Sequence, residues 1–189
     1  MASRVKVDLS RFSNRWYSTG GGAAKRIVWY TINALFLLNP LNPVSSIKVF
    51  WLRVFGARIG KGVNIKPGVN VKYPWRLTVG DHVWIGENVW IDNLGNVEIG
   101  NHVCISQGAL LLCGNHNFKI PTFDLVVGDI ELKDGCWIGA RSVVCPGVTC
   151  GSHSILAVNS VATHNLESYG IYQGNPAEWK RERVVEQGS

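Results

Sequence analysis

The chain of 189 residues amounts to about one domain with room for an appendage, and its 46% hydrophobic and 17% charged residues exclude a disordered polymer. Five cysteines, an odd set with no C-x-x-C pair, fit neither a secreted disulfide framework nor a zinc ribbon and point to a reducing cytoplasm. Lys+Arg exceed Asp+Glu by 19 to 13, a formal charge of +6; this suits a phosphate-bearing ligand or an anionic membrane surface and is too diffuse to argue for nucleic acid.

The first twenty residues are polar and run into Gly20-Gly21-Gly22, so no signal peptide is expected there. Residues 27–38, IVWYTINALFLL, follow Lys25-Arg26 and are stopped by Asn39-Pro40. That run is too short to cross a bilayer, which needs roughly 20 residues. A second apolar piece, 49–55, carries Arg53 and reads as amphipathic. Both are expected as helices packed on a neighbouring surface, with peripheral contact at the inner membrane face as the competing reading. Residues 1–56 are thus an N-terminal extension with apolar helices.

From residue 57 the pattern changes to a beat of six. Ile59, Ile65, Val71 and Leu77 keep it, and apolar-Gly pairs recur at 59–60, 79–80 and 99–100. After an interruption the phase returns at Leu132, Ile138, Val144, Cys150, Leu156 and Ala162. A period of six is neither a heptad nor a strand alternation; it predicts an all-β hexapeptide-repeat parallel β-helix over residues 57–168. Three six-residue sides make a triangular coil with one apolar residue per side pointing inward. Gly80-Asp81 and Gly100-Asn101 suit its tight corners. The 20-residue spacing adds two residues at one corner, and about five coils fit between 59 and 166. The helices cap one end, and a short tail, 169–189, with Asn175-Pro176 and a charged run, lies at the other.

Between Leu112 and Leu132 the beat fails, so residues 113–131 must leave the prism as an excursion loop, a natural place for chemistry. Position sorts the five histidines. His82, His102 and His153 share one corner slot and read as exposed turn residues, and His164 follows Thr163 near the last coil. His116 alone sits in the excursion, which makes it the candidate catalyst.

The ordered set Gly114-Asn115-His116, Cys136-Trp137-Ile138-Gly139, Val144-Cys145-Pro146-Gly147-Val148, Ser160-Val161-Ala162-Thr163 and Gly174-Asn175-Pro176-Ala177 resembles the hexapeptide-repeat acetyltransferases. These include the maltose, galactoside and nodulation-factor O-acetyltransferases. The upstream residues Arg53-Val54-Phe55-Gly56-Ala57-Arg58-Ile59-Gly60 and Lys72-Tyr73-Pro74-Trp75, with the apolar extension, are more similar still to the colanic-acid-type exopolysaccharide acetyltransferases. The resemblance implies a left-handed coil, an exception to the right-handed rule for parallel crossovers, and a homotrimer with active sites between prisms. It implies acetyl-CoA as co-substrate and no metal. The acceptor would be a sugar, nucleotide-sugar or lipid-linked saccharide in surface-polysaccharide synthesis.

The thioester is already activated, so the protein positions it and manages protons. A free imidazole titrates near pH 6.5 and can take the proton of an attacking sugar hydroxyl in a ternary complex; that role goes to His116. A backbone N–H near Gly139-Ala140 is the candidate oxyanion donor. By the same resemblance Trp137, Gly139 and Ala140 would line the reactive end of the cofactor, and Val158 and Thr163 its pantetheine arm. His164, Lys180 and Arg181 would meet its phosphates. His164 departs from the family's usual Lys. Asn93 and Asn115 are the candidates for touching the acceptor. The competing readings are a γ-carbonic-anhydrase-type zinc enzyme, covalent transfer through Cys113 or Cys145, and a non-catalytic scaffold or sugar-binding trimer. The zinc reading is weakened by Pro121, which stands where a second loop histidine would be needed.

Overall fold

The computed structural model describes residues 5–186; the first four residues of the extension and the last three of the tail lie outside the described residues. The six-residue beat becomes a three-sided parallel β-helix. One side stacks strands Arg58–Ile59, Leu77–Val79, Val97–Ile99, Ile130–Leu132 and Thr149–Cys150. The second stacks Asn64–Ile65, Trp84–Ile85, Cys104–Ile105, Trp137–Ile138, Ile155–Leu156 and Gly170–Gly174. The third stacks Asn70–Val71, Trp90–Asp92, Leu110–Leu112, Val143–Val144 and Val161–Ala162. Five coils are therefore complete. A sixth is begun by the bridge from Cys150 to Leu166 and by strand Gly170–Gly174.

The inward columns are those that the beat picks out. Ile65, Ile91, Leu111, Leu132, Ile138, Val144, Cys150, Leu156 and Ala162 all have no accessible surface. Each fully buried aliphatic side chain contributes about 1.5–3 kcal/mol, and the columns run unbroken along the prism. The corners are held by a ladder of short polar side chains. Asp81 Oδ1 accepts from the Lys61 N–H at 2.8 Å, Asn101 Oδ1 from Asp81 at 2.8 Å, and Asp134 Oδ1 from Asn101 at 2.7 Å. One residue later the backbone turns left-handed, at φ 56° for His82 and His102 and 69° for Gly135, and His153 repeats the turn one coil on at 59°. The rings of His82 and His102 stack at 5.3 Å. These three histidines are turn residues that climb one edge.

The two extra residues of the 20-residue coils fall between the third side and the next coil's first, where Pro74–Arg76 forms a single helical turn. Asn93, expected to touch the acceptor, is at this corner and does not. It has no accessible surface; its Nδ2 donates to the Tyr73 carbonyl at 2.6 Å and its Oδ1 accepts from the Tyr73 N–H at 2.9 Å. An amide saturated at both ends inside the prism joins coils and has nothing left for a ligand.

The extension forms α1 (Ala23–Ile32), which continues through a wide turn at Asn33–Leu37, and α2 (Ser45–Val54). Trp29, Leu37 and Leu52 are buried against the first coil, and Trp29 Nε1 donates to the Val71 carbonyl at 2.8 Å. The helices are the expected cap. The far end differs from a plain tail: strand Gly170–Gly174 pairs antiparallel with Ala177–Glu182, a hairpin that covers the last coil.

The outward residues distinguish the sides. The first side presents Arg58, Thr78, Glu98, Glu131 and Thr149. After Asn64, the second presents Trp84, Cys104, Trp137, Ile155 and Ile171, and after Asn70 the third presents Trp90, Leu110, Val143 and Val161. One side is built for water and two are not.

Candidate active site

The excursion leaves the prism after Cys113 and folds as an antiparallel pair, Gly114–His116 with Leu125–Val127, before rejoining at Ile130. His116 ends the outgoing strand opposite Leu125 and is exposed. Its Nδ1 lies 2.8 Å from the Phe123 carbonyl oxygen. A carbonyl only accepts, so Nδ1 carries the proton and the neutral ring presents Nε2 with a free lone pair. Phe123 is held at φ 55°, a conformation that a bulky residue rarely adopts. Its ring stacks on the imidazole at 4.8 Å, and the Phe12 ring lies tilted at 5.9 Å from it. The strained turn therefore serves to fix one imidazole's tautomer and plane. Beside it, Asn115 is exposed; its Oδ1 accepts from the His116 N–H at 2.8 Å, leaving its amide N–H groups for an acceptor.

The other candidates gather at a different edge. Trp137, Gly139 and Ala140 turn the corner between the second and third sides of the fourth coil, and Val158 turns it in the fifth. Trp137 and Val158 are exposed, at 41% and 59%, so a strip of apolar surface runs up this edge. Trp137 Nε1 donates to Ser106 Oγ at 2.9 Å, which sets the indole plane. Gly139 has no room for a side chain: a Cβ there would lie 2.6 Å from Val158 N and 2.7 Å from the Leu156 carbonyl oxygen. Its N–H is taken by that carbonyl at 2.8 Å, so of the Gly139-Ala140 pair only Ala140 retains a backbone N–H for an oxyanion. Thr163 and His164 occupy the next corner and bond each other, Oγ1 to Nδ1, at 2.9 Å. Lys180 and Arg181 are exposed on the terminal hairpin, with Lys180 3.1 Å from Glu178. Within one chain these groups are not brought against His116, which emerges at the corner between the third and first sides.

Burial also sorts the cysteines. Cys113 has no accessible surface, and its thiol is pushed up to about 12 by desolvation. Cys145 is raised by the same cause. Neither offers a thiolate at neutral pH. Among the described residues no group of three or more His, Cys, Asp or Glu could hold a metal ion.

Absent from the sequence reading is the segment before α1. Asp8 N–H donates to the Pro121 carbonyl at 2.9 Å, Tyr17 Oη to the Leu94 carbonyl at 2.8 Å, and Trp75 Nε1 to the Thr19 carbonyl at 2.7 Å. Arg76 adds bonds to the Leu94 and Ser18 carbonyls. The segment is thus bound across the excursion beside His116. No periodicity marks it; its aromatic and basic residues, Phe12, Arg15, Trp16 and Tyr17, were the available signal.

No family model matches the chain. Individual proteins do. The chain is 37% identical over 177 residues to a protein of Escherichia coli (strain K12) that carries the name colanic acid biosynthesis acetyltransferase WcaF, across 94% of this chain and 97% of that one. The hexapeptide-repeat acetyltransferase of Vibrio cholerae O1 biovar eltor, solved with acetyl coenzyme A, superposes with a TM-score of 0.78 at 21% identity, over 88% of this chain and 92% of that chain. A maltose O-acetyltransferase from Clostridium difficile 630 superposes with a TM-score of 0.72 at 18% identity, over 86% and 88%. The last two speak to the fold, and the first, at its identity and coverage, to kinship: the chain belongs to the colanic-acid-type hexapeptide-repeat acetyltransferases and is an acyltransferase.

Proposed function

We propose that this acyltransferase moves an acetyl group from acetyl-CoA to a sugar hydroxyl of a surface polysaccharide or its precursor, in one ternary complex, with His116 as general base. The observation that carries the reading is the fixed imidazole: exposed, with Nδ1–H tied to the Phe123 carbonyl and Nε2 free. The bound thioester supplies the activated acyl group. Nε2 takes the hydroxyl proton as the oxygen attacks, and the same ring returns it to the departing thiolate. The Phe123 carbonyl stabilises the imidazolium between those steps. The edge formed by exposed Trp137 and Val158 and half-buried Ala140 suits a pantetheine arm.

A homotrimer follows from the same reading. The apolar outward columns of the second and third sides need cover. A neighbouring copy would supply it and bring one chain's His116 toward another's Trp137–Ala140 edge. All five cysteines are unpaired, which supports a cytoplasmic protein. No helix of the described residues is long and apolar enough to cross a membrane. Ile27, Val28, Leu35, Leu41, Phe50 and Val54 nonetheless face outward from the helical cap, each more than half exposed. Residues 9–80 contain no Asp or Glu. An acid-free, apolar end supports peripheral docking at an anionic leaflet; binding to neutral and anionic vesicles alike, or to neither, would remove that part.

The test of the whole is the His116→Ala variant. Turnover should fall by about a hundredfold or more, with acetyl-CoA affinity unchanged by titration calorimetry. Near-normal turnover would reject the role.

A further inference from the structure

The segment before α1 does more than buttress His116. Between it and the first coils lies a cleft of about 640 Å³, lined among others by Phe12, Tyr17, Arg26, Lys72, Tyr73 and Leu125. Two of its walls lead to the base: Phe12 packs on the His116 ring, and Leu125 is His116's cross-strand partner. The cleft therefore runs beside the strand that carries His116.

Its charge is of one sign. Arg26 reaches it from α1, half-buried, and its Nε is buried with no hydrogen-bond partner among the described residues. A guanidinium N–H left without an acceptor costs free energy unless something supplies one. Lys72 lines the same wall, its Nζ 2.7 Å from the largely buried Asp92, which sets the ammonium in place and uses one of its three donors. No carboxylate lines the cleft. The remaining walls are aromatic: Tyr17 donates its hydroxyl to Leu94, and Tyr73 stacks on Trp75 at 5.2 Å.

We propose that this cleft is the acceptor subsite and that it seats the phosphate or diphosphate of a phosphate-bearing saccharide, held by Arg26 and Lys72 so that the sugar reaches His116. The inference rests on the reading of His116 as base and deepens it by naming the acceptor class. A guanidinium fork offers paired donors to phosphate oxygens, and the fixed ammonium adds a second cation. Aromatic flanks suit the apolar faces of a sugar ring. A neutral sugar offers the Arg26 guanidinium only hydroxyl and ring oxygens, weaker acceptors than a charged phosphate.

The experiment is binding, not turnover, so that it stands apart from the catalytic claim. Pyrophosphate, UDP-glucose, a short-chain prenyl diphosphoglucose and glucose are titrated into the full-length His116→Ala protein, and into the same protein carrying Arg26→Gln or Arg26→Lys. Arg26→Gln should weaken the three phosphate probes by roughly tenfold to a hundredfold, Arg26→Lys less, and glucose not at all. Tighter binding of the prenyl probe than of UDP-glucose assigns a lipid-linked acceptor; the reverse assigns a nucleotide sugar. Unchanged phosphate binding in a folded Arg26→Gln protein overturns the proposal. So does glucose binding as tightly as the diphosphates, or weaker CoA binding in Arg26→Gln with CoA displaced by pyrophosphate, which would give the cleft to the co-substrate. If Arg26→Gln behaves as stated while His116→Ala alone retains full turnover, the cleft stands and the assignment of the base falls.

Discussion

Asn93→Ala separates a structural amide from a ligand contact in a way the structure makes quantitative. The side chain is wholly enclosed and bonds both the N–H and the carbonyl of Tyr73 in the preceding coil. Removing it strands the Tyr73 N–H, worth about 1–3 kcal/mol when left unpaired, takes one of two donors from the Tyr73 carbonyl, which keeps the Arg76 N–H at 3.0 Å, and leaves a small void. A loss of about 3 kcal/mol is expected, a large share of the 5–15 kcal/mol typical of a domain. For a chain of this size that corresponds to a fall in Tm of about 6–12 °C. Urea denaturation should show a lower midpoint at an unchanged slope, and the protein that remains folded should turn over acceptor with near-normal kcat and KM. A variant whose Tm moves by less than about 2 °C while KM for the acceptor rises steeply would refute the reasoning and restore Asn93 to the site.

Three further outcomes follow from the same geometry. Gly139→Ala forces a Cβ to within 2.6 Å of the next coil's backbone, so a destabilisation of about 1–3 kcal/mol with weakened acetyl-CoA binding is expected, and an unchanged melting curve would contradict the stacking. Cys113→Ser should keep activity within about twofold, and wild-type Cys113 should resist alkylation at pH 8, because burial holds its thiol near 12; rapid labelling with loss of activity would reopen covalent transfer. Asp134 is held below the ordinary aspartate range, first by the Asn101 N–H it accepts and then by the Asn101 side chain. Its depressed value means stability present above the unfolded pKa of about 3.9 and lost as pH falls through the folded one. Asp134→Asn should flatten the acid limb of a Tm-against-pH profile below pH ~4, and an identical limb would show that this carboxylate contributes nothing.

The solenoid was legible because one physical constraint repeats: every sixth residue of a side must be apolar to line the prism, as at Ile59, Ile65 and Val71 and again from Leu132 to Ala162. The excursion was legible for the converse reason, since 113–131 breaks the beat and cannot line anything. The candidacy of His116 rests on that break. Asn93 was misread because an asparagine inside a prism looks like any loop asparagine. The cue was its place twenty residues beyond Tyr73, one coil above it. The terminal hairpin had its signal in Gly174-Asn175-Pro176 between Tyr172 and Trp179, a turn between aromatic strands. The segment across the cleft had only its aromatic and basic residues as a signal, because its bonds with Tyr17, Trp75 and Arg76 run to backbone carbonyls, and any chain can supply a carbonyl.

The proposed site needs the imidazole of one copy to serve a co-substrate held on the edge of another. Val158→Trp, which fills that edge, and His116→Ala should each be inactive alone. Unfolded together and refolded as hybrids, they should regain activity approaching roughly a quarter of the wild-type sites, the share expected when intact His116 and intact Val158 meet by random assortment across an interface. Hybrids as inactive as their parents would place both groups in one chain and contradict the shared site.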